Sequence, residues 1–146
     1  MIVQKFIPLF LWVGVLGTPF IGTLAWSQPK PGSETNLIIE EMAALDRVFK
    51  TIIDAVVLGD MQRIAPALTE ATEPRERVEK ALKEGQPILL PKNQSQFREF
   101  LGLDQQFHID LTELSKAAET GQKKVVRNYA HKLFDSCVVC HEKYRK

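Results

Sequence analysis

The sequence predicts an all-α protein in which four helices form an antiparallel bundle. Apolar residues recur at helical spacing in four successive segments of the 146-residue chain, and no segment alternates regularly between apolar and polar residues. Most connections between these segments are short. Because an amphipathic helix buries its apolar stripe against another helix, four such segments favour a bundle with antiparallel neighbours.

The first 27 residues are predicted to be an export signal. Lys5 is their only charged residue, and an apolar run covers 6–26. At the end of this run, the small residues Ala25 and Ser27 flank Trp26. A run of about 20 apolar residues is also long enough to cross a bilayer, so an uncleaved anchor is the alternative. Either reading places the functional domain outside the cytoplasm, in the periplasm. Residues 28–34 contain two prolines and a glycine and are predicted to be a linker to a domain over 35–146.

Helix one is predicted from about Thr35 to Leu58, and Gly59 is expected to end it. Asp60 is a candidate cap for a second helix, which Pro66 and Pro74 are expected to divide into pieces. The apolar face of helix one consists of two rows with heptad spacing: Ile38, Leu45 and Ile52, and Met42, Phe49 and Val56.

A proline-containing loop over 85–93 precedes helix three, and packing is the favoured role of its apolar residues Ile88, Leu89 and Leu90. Asn93 or Ser95 is expected to start helix three, and Gly121 to end it. The apolar face of helix three comprises Phe97, Phe100, Phe107, Leu111 and Leu114. Helix four is predicted from about Gln122 to Tyr144, with apolar residues that include Val126, Ala130, Leu133, Phe134 and Val138.

The charge balance gives no indication of a strongly charged binding partner. Removal of residues 1–27 takes the 19 basic and 18 acidic residues of the chain to 18 and 18. A nearly neutral domain offers no argument for binding nucleic acid or an acidic membrane surface. The near-neutral charge also gives no prediction of the charge of a redox partner.

The segment Cys137-Val138-Val139-Cys140-His141 has the Cys-x-x-Cys-His form that attaches c-type haem. At about 100° per residue, Cys140 lies about 60° to one side of Cys137 and His141 about 40° to the other, so one helix face carries all three. The two thiols can then reach the vinyl groups while the imidazole ligates the iron. Because thioether-linked haem is formed outside the cytoplasm, the motif agrees with the predicted export signal.

Other uses of the two cysteines have less support. A disulfide is common in exported proteins, but the following histidine favours haem. A thioredoxin-type pair usually accompanies a βαβ pattern, which is missing from this sequence. A zinc site needs four ligands, and His108 and His131 are the only remaining candidates for the fourth.

The motif followed by Glu142-Lys143-Tyr144-Arg145, on the last of four helices, resembles the cytochrome c prime family. The resemblance extends over about residues 35–146 and includes Phe107, Leu111, Leu114, Ala117, Ala118 and Gly121. It implies one covalent haem inside the bundle, with His141 on the proximal side and helix one on the distal side. It also implies that Arg145 lies beside the proximal histidine or a propionate, whereas a solvated terminal cation is the alternative.

Helix one is expected to determine the sixth position of the iron. By the resemblance, a methionine early in this helix ligates iron in six-coordinate relatives, and Met42 is the candidate here, although methionine on such a face also serves as core filler. If Met42 does not ligate, Ile38 or Leu45 is expected to cover a five-coordinate iron. Met61, His108 and His131 are poorer ligand candidates, and His108 is expected to face outward.

Phe134 is expected to pack on the porphyrin, although packing in the core would bury it as well. Weaker candidates for the same pocket are Phe49, Phe107 and Leu111. We expect an electron carrier that is not an enzyme, because no catalytic constellation is evident. Binding of nitric oxide or carbon monoxide is the alternative, and a haem-bearing subunit of a membrane complex is a third. The resemblance also implies a possible homodimer through the first two helices.

Overall fold

The structure is a computed structural model and describes residues 36–146. Within this range the apolar periodicity produces a series of helices. No strand occurs within that range. The predicted export signal, the linker and Thr35 lie outside the described residues. From Asn36 onward the chain belongs to one compact unit. Within the same range, no helix combines the length and apolar character needed to cross a membrane.

Helix α1 spans Leu37–Leu58, which confirms the predicted first helix to within two residues. The side chain of Asn36 caps it by accepting a hydrogen bond from the backbone N–H of Ile38. Gly59 follows in the left-handed conformation (φ 74°), and its N–H donates to the Ala55 carbonyl. Because glycine has no Cβ, it ends the helix in this way with little strain.

The second helical region is divided, as predicted, into α2 (Ile64–Leu68) and α3 (Thr72–Lys83), with short 3-10 turns before each. Pro66 and Pro74 are each the third residue of their helix, where a missing backbone N–H removes no helical hydrogen bond. The prediction that Asp60 caps this region is wrong, because its side chain makes no capping hydrogen bond.

Helix α4 spans Phe97–Glu119, and helix α5 spans Lys123–Tyr144. A 3-10 turn over Gln94–Gln96 leads directly into α4, so the helical segment starts beside Asn93, one of the two predicted starts, although the Asn93 side chain makes no capping hydrogen bond. Gly121, with φ 69°, lies in the tight connection between α4 and α5. The ends predicted from glycine are therefore more accurate than the starts predicted from capping side chains.

Two groups of buried apolar residues hold the helices together. The first joins α1, α4 and α5 through residues that are almost completely buried: Val48, Ile52, Leu114, Val126 and Leu133. The second joins the start of α1 and the end of α5 to the loop before α4: Ile38, Ile88, Leu90, Phe100 and Tyr144. Burial of Ile88 and Leu90 confirms the predicted packing of these loop residues, whereas the prediction is wrong for Leu89, which is 63% exposed. Each such side chain contributes about 1.5–3 kcal/mol through the area it removes from water.

Candidate functional site

A cavity of about 640 Å³ is lined by residues of α1, α4 and α5. This volume lies within the range of small-molecule and cofactor pockets. Its walls are mostly apolar and aromatic: Met42, Leu45, Phe49, Phe100, Leu103, Phe107, Phe134 and Val138. The residues of the Cys-x-x-Cys-His motif line the same cavity, so the apolar surface and the reactive side chains belong to one site.

The motif lies in the last turns of α5, and all five of its residues line the cavity. Cys137 contacts the first buried group and Cys140 contacts the second. Both residues are free thiols, and therefore the disulfide alternative is not the arrangement of this structure. Two thiols and one imidazole along an apolar wall are the donors that a covalently held haem requires.

The surroundings of these groups alter their acidity. Burial raises the pKa of the Cys137 thiol, and it raises that of the Cys140 thiol to about 11, with a further contribution from the charge of Asp104. Burial, assisted by the charge of Arg145, lowers the pKa of His141. At neutral pH the cysteines are therefore thiols, and His141 is a neutral imidazole with a lone pair free for a metal.

Of the three residues of α1 that were candidates to face the iron, the structure brings two to the cavity. Met42 and Leu45 line the cavity, whereas Ile38 packs into the second buried group and does not line it. Met42 is half-buried and contacts both buried groups. Met61 instead lines a smaller cavity of about 310 Å³ near the end of α1, as expected for a residue towards one end of the domain.

Phe134 lines the cavity but stays 53% exposed, so the alternative of ordinary core burial is wrong. Its ring stacks on that of Phe49, with the centroids 6.4 Å apart. Phe107 also lines the cavity, whereas Leu111 packs in the first buried group and is not part of the wall. Stacked aromatic rings left open beside a cavity form a surface suited to a flat ligand.

Arg145 follows the end of α5 and lines the cavity while its side chain remains exposed. Its backbone N–H donates to the carbonyl of His141 at 3.0 Å. Since the charge of Arg145 contributes to the lowered pKa of His141, the guanidinium acts on the imidazole surroundings. The position is also open to a ligand carboxylate at the cavity mouth.

The two other histidines do not line the cavity. His131 is exposed on α5. The prediction that His108 faces outward is wrong, because its side chain is only 20% exposed and Nε2 lies 3.1 Å from Oε1 of Glu41. A buried carboxylate on α1 thus draws the ring inward. Neither histidine is placed to complete a zinc site with the cysteines.

A network of buried ionic side chains was not predicted from the sequence. Glu41 on α1 is 0% exposed, and Asp104 on α4 is 8% exposed. Arg75 on α3 donates to both, with Nη1 3.4 Å from Oε1 of Glu41, and its Nε bonds Glu79 nearer the surface. Asp104 also lines the cavity, which connects the network to the site.

A sequence signal for these residues exists. Glu41 lies three residues after Ile38, and Asp104 lies three residues before Phe107, so both carboxylates occupy heptad positions that otherwise carry buried apolar residues. A carboxylate in such a row must be paired, because burial of an isolated charge is strongly unfavourable. The sequence marks the positions, but it does not identify the partner.

Glu41, Asp104 and His108 offer ligand atoms that lie within 4.8 Å of one another, close enough to share a metal ion. Among residues 36–146 this is the one such group, and it contains neither cysteine. The guanidinium of Arg75, however, bonds both carboxylates and so holds the place that a metal cation would take. The arrangement is better explained as an ion-pair network.

No protein-family model, curated protein or solved structure matches this chain. The function is therefore inferred from the residues and from the geometry of the cavity.

Proposed function

We propose that this protein is an exported, mono-haem c-type cytochrome that carries single electrons, built as an antiparallel four-helix bundle of the cytochrome c prime type. One observation carries the proposal: a single apolar cavity is lined by two free thiols, a neutral imidazole and a thioether, contributed by Cys137, Cys140, His141 and Met42. The low polarity of the walls suits a porphyrin, and the donors suit its covalent attachment and the ligation of its iron.

In this proposal, each residue of the site has a distinct role. Cys137 and Cys140 hold haem c through thioether bonds, and His141 and Met42 are the axial ligands. Bound haem c supplies a one-electron Fe(III)/Fe(II) couple. Phe134 and Phe49 cover the porphyrin and exclude water from it, and Arg145 lies beside the imidazole or a propionate. A His/Met pair favours the reduced iron and suits an electron carrier.

Contacts between α4 and α5 support the antiparallel bundle. Near the end of α5, Lys143 pairs with Glu99 on the first turn of α4 at 2.7 Å. The carbonyl of Lys143 accepts a hydrogen bond from the side chain of Asn93, which lies just before α4. The end of one helix therefore lies beside the start of its neighbour. The periplasmic location rests on the N-terminal apolar segment, and the redox partner remains unspecified.

Binding of a diatomic gas is the second candidate function, and one observation favours it. Leu45 lines the cavity less than one turn from Met42, so an aliphatic side chain is available to cover the distal side of the iron. If Met42 acts only as part of the wall, the iron is five-coordinate and open to nitric oxide or carbon monoxide. The two functions then differ in the role of a single side chain.

The first test is the absorption spectrum of the purified protein, oxidised and reduced, with and without carbon monoxide. The Met42→Ala variant and the control variant Met61→Ala are measured beside it. Met61 is a suitable control because it is a half-buried methionine that lines the other cavity. Denaturation before mass spectrometry shows whether the haem is covalent, and Cys137→Ser with Cys140→Ser should abolish its retention.

We expect a low-spin reduced spectrum that carbon monoxide does not change, and a high-spin spectrum in Met42→Ala alone. A high-spin wild-type spectrum that responds to carbon monoxide and ignores Met42→Ala would transfer the proposal to gas binding. A purified protein that carries no haem after export with the maturation machinery would overturn both functions.

A further inference from the structure

The buried ionic network adjoins the proposed haem site. Asp104 both lines the cavity and bonds Arg75, and Arg75 in turn contacts Glu41, the residue before Met42. The charge of Asp104 is felt inside the site, since it contributes to the raised pKa of the Cys140 thiol. These side chains come from three helices and lie where water provides little screening.

The network holds more negative groups than positive ones. Two carboxylates, Glu41 and Asp104, contact a single guanidinium, and Oε2 of Glu41 has no hydrogen-bond partner. His108 contacts Glu41 and is positive only when it is protonated. A domain that needed only to join three helices would be served at least as well by apolar residues of similar volume. The retained charges therefore have an electrostatic consequence for whatever occupies the cavity.

Oxidised haem carries one positive charge more than reduced haem. A carboxylate that lines the cavity stabilises the oxidised form, and a guanidinium nearby stabilises the reduced form. We propose that the charges of Asp104 and Arg75 set the reduction potential of the haem site: the Asp104 carboxylate lowers the potential, and the Arg75 guanidinium raises it. This inference rests on the proposed function, because it concerns the same cavity and its haem.

The experiment is a comparison of reduction potentials in the holoprotein at pH 8, by equilibrium with redox dyes. The variants are Asp104→Asn, Arg75→Gln and Arg75→Lys. Glu113→Gln is the matched control, because Glu113 is also a carboxylate on α4 but its side chain is 43% exposed and pairs with Lys116. The visible spectrum and covalent haem content of every variant are recorded first.

We expect Asp104→Asn to raise the potential and Arg75→Gln to lower it. Each is expected to change the equilibrium constant about tenfold, which is about 59 mV for one electron. Arg75→Lys, which keeps the charge, and Glu113→Gln should leave the potential close to that of the wild type. Shifts of opposite sign from the two sides of one ion pair would not arise from a loss of packing.

Unchanged potentials in Asp104→Asn and Arg75→Gln, or shifts of the same sign, would overturn the inference while leaving the proposed function intact if the spectra are native. If Arg75→Gln does not fold, Asp104→Asn decides alone, and a potential that fails to rise overturns the inference. Absence of covalent haem from the wild-type protein would overturn the proposed function instead, and the inference with it.

Discussion

At the scale of single residues, the surroundings of the motif cysteines make their thiols less acidic and therefore less reactive. Cys140 is half-buried, and burial with the nearby charge of Asp104 raises its pKa to about 11. The thiolate is the nucleophilic form of cysteine, so such a thiol is poorly nucleophilic at neutral pH. The same surroundings hold His141 in its neutral form, which is the form that binds a metal.

This environment predicts slow alkylation of Cys140 in the haem-free folded protein. In a Cys137→Ser variant, where Cys140 is the sole thiol, the rate with iodoacetamide at pH 8 should be about tenfold below that of the same protein in urea, because the smaller thiolate fraction outweighs the greater nucleophilicity of a more basic thiolate. The rate should rise with pH towards about 11, following the pKa of the thiol. Equal rates in the folded and unfolded protein would contradict the buried environment.

At the scale of secondary-structure elements, glycine has opposite roles in α1 and α4. Gly59 ends α1 with φ 74°, a conformation that disfavours residues with a Cβ. Gly102 lies inside α4, where a Cβ would meet no atom within 4 Å. The first glycine is required by the geometry of a helix end, whereas the second only weakens its helix.

The two glycines therefore predict substitutions of opposite sign. Gly59→Ala should lower the free energy of unfolding by about 1–2 kcal/mol because alanine is strained in the left-handed conformation. Gly102→Ala should raise it by about 0.5–1 kcal/mol, since it removes the conformational cost of glycine in a helix. Urea unfolding followed by circular dichroism measures both, and a stabilising Gly59→Ala would contradict the assigned helix end.

At the scale of the whole molecule, the site is assembled between the two buried groups rather than on one helix. α1 supplies Met42, α4 supplies Asp104 and α5 supplies the Cys-x-x-Cys-His motif. The ionic network links α1, α3 and α4 by means of Arg75. Removal of a charge from it should consequently change the stability of the whole domain as well as the properties of the site.

Asp104 predicts a particular dependence of stability on pH. Burial, followed by the charge of Glu41, raises its pKa above the ordinary value of 3.8. The folded protein therefore binds more protons than the unfolded chain just above this pH. The resulting stabilisation is fully present below pH 3.8 and is lost as the pH rises through the raised pKa of the folded state.

The measurement compares wild type with Asp104→Asn by urea unfolding at a series of pH values from about 3.5 upward. The difference in unfolding free energy, wild type minus variant, should decrease with increasing pH and then become constant. The control is Glu113→Gln, which removes a carboxylate whose side chain is 43% exposed, and its curve should run parallel to that of the wild type. A difference that increases with pH would show that Arg75 lowers the pKa of Asp104 more than burial raises it.

The order of residues along the chain was sufficient to predict the helices and to identify the reactive motif. Heptad rows identified the buried faces of α1 and α4, and Gly59 and Gly121 marked helix ends, because these signals depend on neighbours within a few residues. The spacing of Cys137, Cys140 and His141 placed them on one face for the same reason. Helix starts were less predictable, since the side chains of Asp60 and Asn93 make no capping hydrogen bond.

Contacts between distant segments depended on how the helices pack. Arg75 is 34 residues from Glu41 and 29 from Asp104 in the chain, so no local pattern could pair them. The inward position of His108 follows from the same buried Glu41. Periodicity specifies which face of a helix is buried, but the neighbouring helix determines whether that face meets an apolar side chain, a charge or a cavity, and this is why Met42 lines the cavity and Ile38 does not.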